Sequence, residues 1–357
     1  MKHTIGDLYQ MQSLPLEAKI AMTKARIRGW IDEYGEDGVY ISFSGGKDST
    51  VLMDIIRNKM GERSIPAYFV DVPTQYPELR DFAKTWKDVE IIRPGMSFME
   101  VCEKYGFPII SKEISQTVYE ARISAEEMKK GKKYKFGYPS RLLQLEGKLP
   151  HTEKGSITNE YSKTGDKSRY KFFLEAPFWI SNRCCSVMKK APLHKMAKET
   201  GRHPITAQMA DESRLRMQKW LQNGCNAFDA KSPISNPMSF WTEQDILTYI
   251  HTYKLPICEV YGDVIEDYEA EGILEGQVTF EEFKGNKIYK TTGCKRTGCM
   301  LCGYGCHLEK PGEGRFELLK KTHPKMHGLL DVVKNNGVTF REAIEWTNEH
   351  GGFDIKL

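Results

Sequence analysis

Residues 42–50 read Ser-Phe-Ser-Gly-Gly-Lys-Asp-Ser-Thr, directly after the apolar run Gly38-Val39-Tyr40-Ile41 and before the helical pattern Ser49–Ile56. Strand, glycine-rich turn and helix in that order make an anion cradle. Adjacent Gly45 and Gly46 let the backbone bend so that N–H groups converge, and the helix adds its positive end. Ser42, Ser44 and Ser49 can add hydroxyls, and Lys47 a charge. Asp48 is the odd member, because a carboxylate repels phosphate. It fits if it caps the turn or binds a magnesium ion that phosphates share. The G-x-x-x-x-G-K-[ST] pattern is missing, so this is not a Walker loop.

Thiol chemistry is concentrated in two other places. Cys184 and Cys185 are adjacent, and Gly293–Cys306 holds Cys294, Cys299, Cys302 and Cys306. A C-x-x-C presents two thiolates to one metal, and nearby glycines let the backbone wrap closely. Two ligand sets are open. One is local (Cys294, Cys299, Cys302, Cys306), with an opening C-x4-C-x2-C of ferredoxin-like spacing. The other bridges Cys184 and Cys185 to Cys299 and Cys302, and zinc suits either. Nine cysteines in a chain of 357 residues read better as ligands and buried thiols than as a disulfide framework.

Three weaker candidates stand elsewhere. Asp211-Glu212-Ser213-Arg214-Leu215-Arg216 follows a strand-like run and pairs carboxylates with arginines, which suits metal–phosphate or oxyanion work. Taken alone, it reads better as an acidic helix start favouring its own dipole. Asp71 ends the second expected strand and lies at the rim of any site there. Thr242 with Asp245 three residues on resembles a capping box, with Phe240 and Trp241 read as core.

The elements that must position these groups alternate. Strand 38–43 leads to helix 49–60, strand 65–71 to helix 77–87, and strand 89–92 to helix 97–105; the order resumes with helix 184–200 and a strand near 204–208. Short apolar strands separated by helices predict an α/β fold, a doubly wound, mostly parallel sheet with helices on both faces. Ligands then sit beyond the carboxyl ends of the strands, where Ser44–Ser49 falls. The expected divisions are a helical segment 1–35, a nucleotide-binding α/β domain 36–260, and a Cys-rich region with a helical tail, 261–357. Residues 262–290 read as an acidic insertion.

Charge is uneven. Residues 122–171 carry thirteen Lys and Arg against six Asp and Glu, while the whole chain is only +4. Tyr134, Phe136, Tyr138, Tyr161, Tyr170, Phe172 and Phe173 lie in or beside this basic insertion. Cations interleaved with aromatics suit a nucleic-acid backbone with splayed bases, and equally a solvated insertion. The start of the chain lacks the apolar core of a signal peptide, and no apolar run reaches membrane-spanning length, so a cytoplasmic location with no membrane is expected.

Taken in order, the loop at 44–49, the Cys184-Cys185 pair, Ala210-Asp211-Glu212-Ser213, the run Pro237…Trp241-Thr242…Asp245-Ile246…Leu255-Pro256, and Arg296-Thr297-Gly298-Cys299-Met300-Leu301-Cys302 resemble the phosphoadenylyl-sulfate (PAPS) reductase family of the PP-loop ATP pyrophosphatase superfamily. The resemblance covers roughly 36–110 and 175–325. It implies a PP-loop fold and cleavage of ATP between its α and β phosphates. In adenylyl-sulfate reductases of the family a Cys-Cys pair and a later C-x-x-C hold a [4Fe–4S] cluster, which carried over selects Cys184, Cys185, Cys299 and Cys302. Sulfonucleotide reductases end in a tail cysteine and tend to carry a degraded loop. Here no cysteine follows Cys306 and the loop is intact, which favours ATP as the substrate.

The resemblance therefore implies an adenylating enzyme in sulfur transfer or nucleic-acid modification, akin to DNA-phosphorothioation sulfurtransferases. ATP would lie on Ser42, Ser44–Ser49, Asp71, Asp211, Glu212 and Ser213. Lys47, Asp48, Arg214 and Arg216 would act with Mg2+, and a sulfur donor or redox protein would be a partner. The alternatives are an adenylyl-sulfate or PAPS reductase, and a nucleotide-gated subunit that binds nucleic acid through 122–171.

Overall fold

The structure is a computed structural model that describes residues 2–134, 137–153, 156–161, 163, 165–267, 287–310, 312 and 314–357. Phe136, the side chain of Tyr161 and most of the expected 262–290 insertion lie outside the described residues. The chain divides into two compact units, each assembled from separated segments. The first holds Met1–Asp71, Gln75–Arg93 and Pro192–Thr297, and the second holds Val72–Thr74, Pro94–Ala191 and Gly298–Leu357.

The first unit is built on a six-stranded sheet. Its strands are β1 (Val39–Phe43), β2 (Ala67–Val70), β3 (Val89–Ile92), β4 (His203–Ile205), β5 (Asn226–Ala227) and β6 (Ile234–Ser235), in the order β3-β2-β1-β4-β6-β5. All neighbours are parallel except β5, which runs antiparallel to β6. Alternation along β1 sends residues to two different layers. Val39, Ile41 and Phe43 join a core with Ile27 and Trp30 of helix Leu16–Tyr34 and Leu52 of helix Lys47–Asp54. Tyr40 turns the other way and packs with Tyr68, Leu193 and Met196. Helices therefore cover both faces, as the alternating pattern requires. The expected helix 49–60 starts earlier, at Lys47, and closes as a π-turn over Ile55–Lys59.

Helix Glu243–Tyr253 begins as expected. Thr242 Oγ1 accepts from the Asp245 N–H at 3.3 Å, and Asp245 Oδ2 accepts from the Thr242 N–H at 2.7 Å. Lys19 of the N-terminal helix, itself buried, pairs with Asp245 at 2.7 Å. Phe240 and Trp241 are fully buried, which agrees with their assignment to the core.

The second unit is largely helical. Helices Phe98–Tyr105 and Lys112–Lys129 flank a short parallel pair, Ile109–Ile110 with Gly303–Tyr304. Within the basic segment the chain forms helix Ser140–Leu145, a hairpin of Pro150–Glu153 with Ser156–Tyr161, and a 3-10 turn over Ser168–Leu174. The tail is not continuously helical. Between helices Arg315–Thr322 and Phe340–Gly351 it inserts a hairpin pairing Lys334–Asn335 with Val338–Thr339, where Asn336 and Gly337 take positive φ.

Candidate functional site

The Ser44–Ser49 loop leaves β1 at the point where the strand order reverses, with β2 on one side and β4 on the other. Open parallel sheets part their connections at such a point and leave a crevice at the strand ends. Gly45 has φ +72°, and a Cβ there would come within 3.0 Å of the Leu79 carbonyl, so the turn demands glycine. Gly46 is the N-cap of helix Lys47–Asp54, and a Cβ on it would crowd Ser44 Oγ and Tyr261 Oη at 3.2 Å.

The loop hydroxyls are spent on the loop itself. Ser44 Oγ and Ser49 Oγ are 2.9 Å apart, Ser49 Oγ accepts from the Ser44 N–H at 3.2 Å, and Ser44 Oγ accepts from the Gly46 N–H at 3.3 Å. Ser49 and Thr50 both donate to the Gly46 carbonyl, at 2.9 and 3.0 Å. The two serines thus set the shape of the cradle. Ser42 lies half-buried in β1 opposite Tyr68.

Lys47 is buried and engaged. Its Nζ lies 2.9 Å from Glu243 Oε1, donates to the Lys295 carbonyl at 3.0 Å, and is 3.9 Å from Asp48 Oδ1. The Tyr261 ring lies 5.7 Å away, and Tyr261 Oη is 2.7 Å from Thr297 Oγ1. Asp48 does not cap the turn through its buried oxygen, because Oδ1 has no hydrogen-bond partner. Burial raises its carboxyl to about 6; Glu212 and Glu243 push the same way, against Lys47 and Arg296. A carboxylate oxygen with no hydrogen bond, met only by the Lys47 ammonium at 3.9 Å, has the donor chemistry of a ligand to a hard cation such as Mg2+.

The Asp211–Arg216 stretch serves first as a helix start. Ser213 Oγ caps helix Arg214–Asn223 by accepting from the Arg216 N–H at 3.3 Å, and Glu212 Oε1 accepts from the Met209 N–H at 2.9 Å and pairs with Arg216. Asp211 and Arg214 are exposed. Asp71 is buried and accepts from Arg80 Nε at 2.7 Å, so its charge is answered within the unit. Sequence reading missed Glu243, Tyr261, Lys295 and Thr297. Glu243 had one available signal, its place as first residue of a helix already marked by Thr242 and Asp245.

In the second unit Cys184, Cys185, Cys299 and Cys302 lie close enough for each to act on the charge of Cys184. Cys184 and Cys185 open a helix, and the Cys302 N–H donates to the Cys299 carbonyl at 3.1 Å in a tight turn. The hydrogen bond from Cys184 lowers the Cys185 thiol to about 6, with Lys112, Lys189 and Lys190 assisting against burial. The same bond, with burial and the neighbouring thiols, pushes Cys184 up. Burial raises Cys302 to about 11 and Cys306 to about 12. Lys189, also missed from sequence, loses by burial but gains more from Cys299 and Cys185, so its ammonium is held. Cys306 Sγ lies 3.5 Å from the Cys302 carbonyl, and Cys294 belongs to the first unit.

Among the described residues no three His, Cys, Asp or Glu side chains close on one point as a single-ion site does. The donor set still fits a thiolate-bound group by its chemistry. It offers four soft ligands, one with an accessible thiolate, and cations to offset their charge.

Four of the described aromatics of the basic segment are engaged within the second unit. Tyr134 donates to Glu127 at 2.6 Å, Tyr170 stacks on Phe353, and Phe172 and Phe173 pack on Trp346. Its cations pair locally, Lys132 with Glu127, Arg141 with Glu120 and Lys167 with Glu113.

The chain thus combines an α/β sheet carrying a glycine turn at its order reversal with a group of four cysteines in its second unit. The phosphoadenosine phosphosulfate reductase domain matches residues 150–303, a stretch that begins after the loop and includes Cys184, Cys185, Cys299 and Cys302. That match covers less than half of the chain and shows a likeness of this stretch to the phosphoadenosine phosphosulfate reductase domain. Among solved structures it is similar to phosphoadenylyl-sulfate (PAPS) reductase from Candida auris in a phosphate complex, at 15% identity and a TM-score of 0.35, over 72% of this chain and 97% of that one. No curated protein matches the chain. Among the described residues no helix is long and apolar enough to cross a membrane.

Proposed function

We propose that this chain is an ATP pyrophosphatase that adenylates an acceptor and releases pyrophosphate, in sulfur transfer or nucleic-acid modification. The observation that carries the reading is the cradle itself. A strand–turn–helix with a required positive-φ glycine lies where the strand order reverses, and it holds one buried lysine.

The chemistry follows from charge. An oxygen or sulfur of the acceptor attacks the α-phosphorus, the bond from the α-phosphorus to its bridging oxygen breaks, and pyrophosphate leaves with that electron pair. Negative charge grows on the leaving group, where first-turn N–H groups and Lys47 can answer it. Lys47 already has a carboxylate partner, so a polyphosphate competes with Glu243 for it. Mg2+, held through Asp48, would supply Lewis-acid neutralisation of the phosphates. Cys184, Cys185, Cys299 and Cys302 would hold a [4Fe–4S] cluster, or zinc, supplying electron or sulfur chemistry. Arg214 and Arg216 enter only if Arg216 leaves Glu212.

ATP–pyrophosphate exchange with candidate acceptors is the test. Exchange lost in Lys47→Ala supports the reading, and wild-type protein with no ATP binding by calorimetry ends it. Sulfonucleotide reduction is the second reading, favoured by the family match. Sulfite release from adenylyl sulfate with a thiol reductant would replace the first reading with this one.

A further inference from the structure

The second unit carries a row of alternating cations and aromatic rings that none of the chemistry above uses. Lys104 Nζ lies 5.3 Å from the centre of the Tyr105 ring. Arg183 sits over Tyr105 and Tyr119, at 5.9 and 5.7 Å. Tyr119 meets Trp179 edge-on at 5.6 Å, and Arg122 covers Trp179 at 4.3 Å. The row is drawn from the end of helix Phe98–Tyr105, helix Lys112–Lys129 and residues 179–183. Lys104 and Arg183 are exposed, and the three rings are half-exposed.

Structural cation–π pairs usually occur singly, and a run of four contacts on three rings is a different arrangement. Its surroundings are cationic. Lys112, Lys189 and Lys190 all act on Cys185, two residues from Arg183. The nearby acids are partly neutralised, Glu120 by Arg141 and Glu113 by Lys167, while Glu126 faces Arg122 and Glu103 is exposed. Flat rings with guanidinium planes between them offer stacking faces at short intervals, and the flanking lysines offer charge for phosphates. Single-stranded nucleic acid presents both complements, unstacked bases and a phosphate at every step. An acidic protein presents only the charge.

We propose that the Lys104–Tyr105–Arg183–Tyr119–Trp179–Arg122 row is a docking surface for single-stranded nucleic acid. It rests on the preceding reading for the purpose of binding, since it would present the acceptor, but strand binding itself needs no ATP. The surface shares only Arg122 with the basic segment singled out by composition, whose Tyr170, Phe172 and Phe173 pack against Phe353 and Trp346.

The test uses full-length protein and a fluorescein-labelled 20-nucleotide strand, DNA and RNA in turn, followed by anisotropy over a salt series. Expected are binding that weakens steeply with salt, and about tenfold losses in Tyr119→Leu and in Arg183→Gln. Lys104→Gln should flatten the salt slope by ~0.7 with little other change. Trp179 fluorescence should be quenched by the strand, and that signal should vanish in Trp179→Phe. Melting curves and wild-type-like ATP binding of each variant guard against misfolding. No strand binding at low salt, equal affinity for duplex with no effect of Tyr119→Leu, or binding confined to an acidic protein would each overturn the proposal. If strand binding survives while ATP binding is absent, the adenylation reading fails and this one stands. The reverse result removes this one alone.

Discussion

The glycine loop of the first unit and the cysteine cluster of the second handle charge in opposite ways. In the loop nearly every polar group has an internal answer: serine to serine, lysine to glutamate and to a carbonyl. Only Asp48 is left short. In the cysteine cluster the Cys184–Cys185 hydrogen bond raises the one thiol and lowers the other, burial raises Cys184, Cys185 and Cys302 alike, and neighbouring thiols push Cys184 and Cys302 further up. The loop is thus a finished structure that a ligand must disturb. The cluster is a structure that a bound cationic group would complete.

The largest effect should come from breaking the second half of that contrast. Cys184→Ser or Cys299→Ser should cut retained iron or zinc on the order of 100-fold, measured by elemental analysis of anaerobic protein, while Lys47→Ala leaves metal content unchanged. Equal metal loss in both variants would erase the distinction between the two regions. Next, Lys47→Ala should slow ATP–pyrophosphate exchange on the order of 100-fold without lowering the melting temperature. A smaller effect of opposite sign is expected at its partner. Glu243→Gln frees a buried ammonium, so magnesium-free ATP should bind about fivefold to tenfold more tightly by calorimetry. Weaker binding would mean that Glu243 positions Lys47 instead of occupying it.

Asp48 sharpens the comparison through pH. Its folded carboxyl is raised to about 6 from 3.8, chiefly by burial, so the folded state holds the proton more tightly than the unfolded one. The stability this contributes is full below pH 4 and is lost as pH rises through 6. Asp48→Asn should therefore match wild type near pH 4 and exceed it by roughly 1–2 kcal/mol above pH 7, read by urea unfolding. A constant offset at all pH values would place the strain elsewhere. The smallest effect is local: Thr242→Ala should cost about 1 kcal/mol through loss of the cap, without altering exchange kinetics.

Legibility followed periodicity and punctuation. Strand 89–92 and the helix from Thr242 came through because alternation and a capping box are local signals. The loop was legible as a cradle because Gly-Gly between strand and helix has few other uses. Lys295 and Tyr261 were not, because a carbonyl and a ring brought from more than 200 residues away leave no pattern around Lys47. The aromatics near 170 misled for a related reason. Composition counted Tyr170, Phe172 and Phe173 as available, whereas the structure folds the distant Trp346 and Phe353 onto them.

The helices that carry the two candidate sites share one irregularity. The helix after the loop passes into a π-turn at Ile55–Lys59, and the helix opened by the cysteine pair does so at Ser186–Lys190. A turn wound one residue too wide shifts the phase of everything beyond it, so the side chains before and after are aimed independently. Removing a single residue from either would rewind the spiral and swing its far half by about a quarter of a circle. Each of these segments therefore carries its own adjustable coupling, and the register of Lys189 against the thiols is where a mis-set one would first be felt.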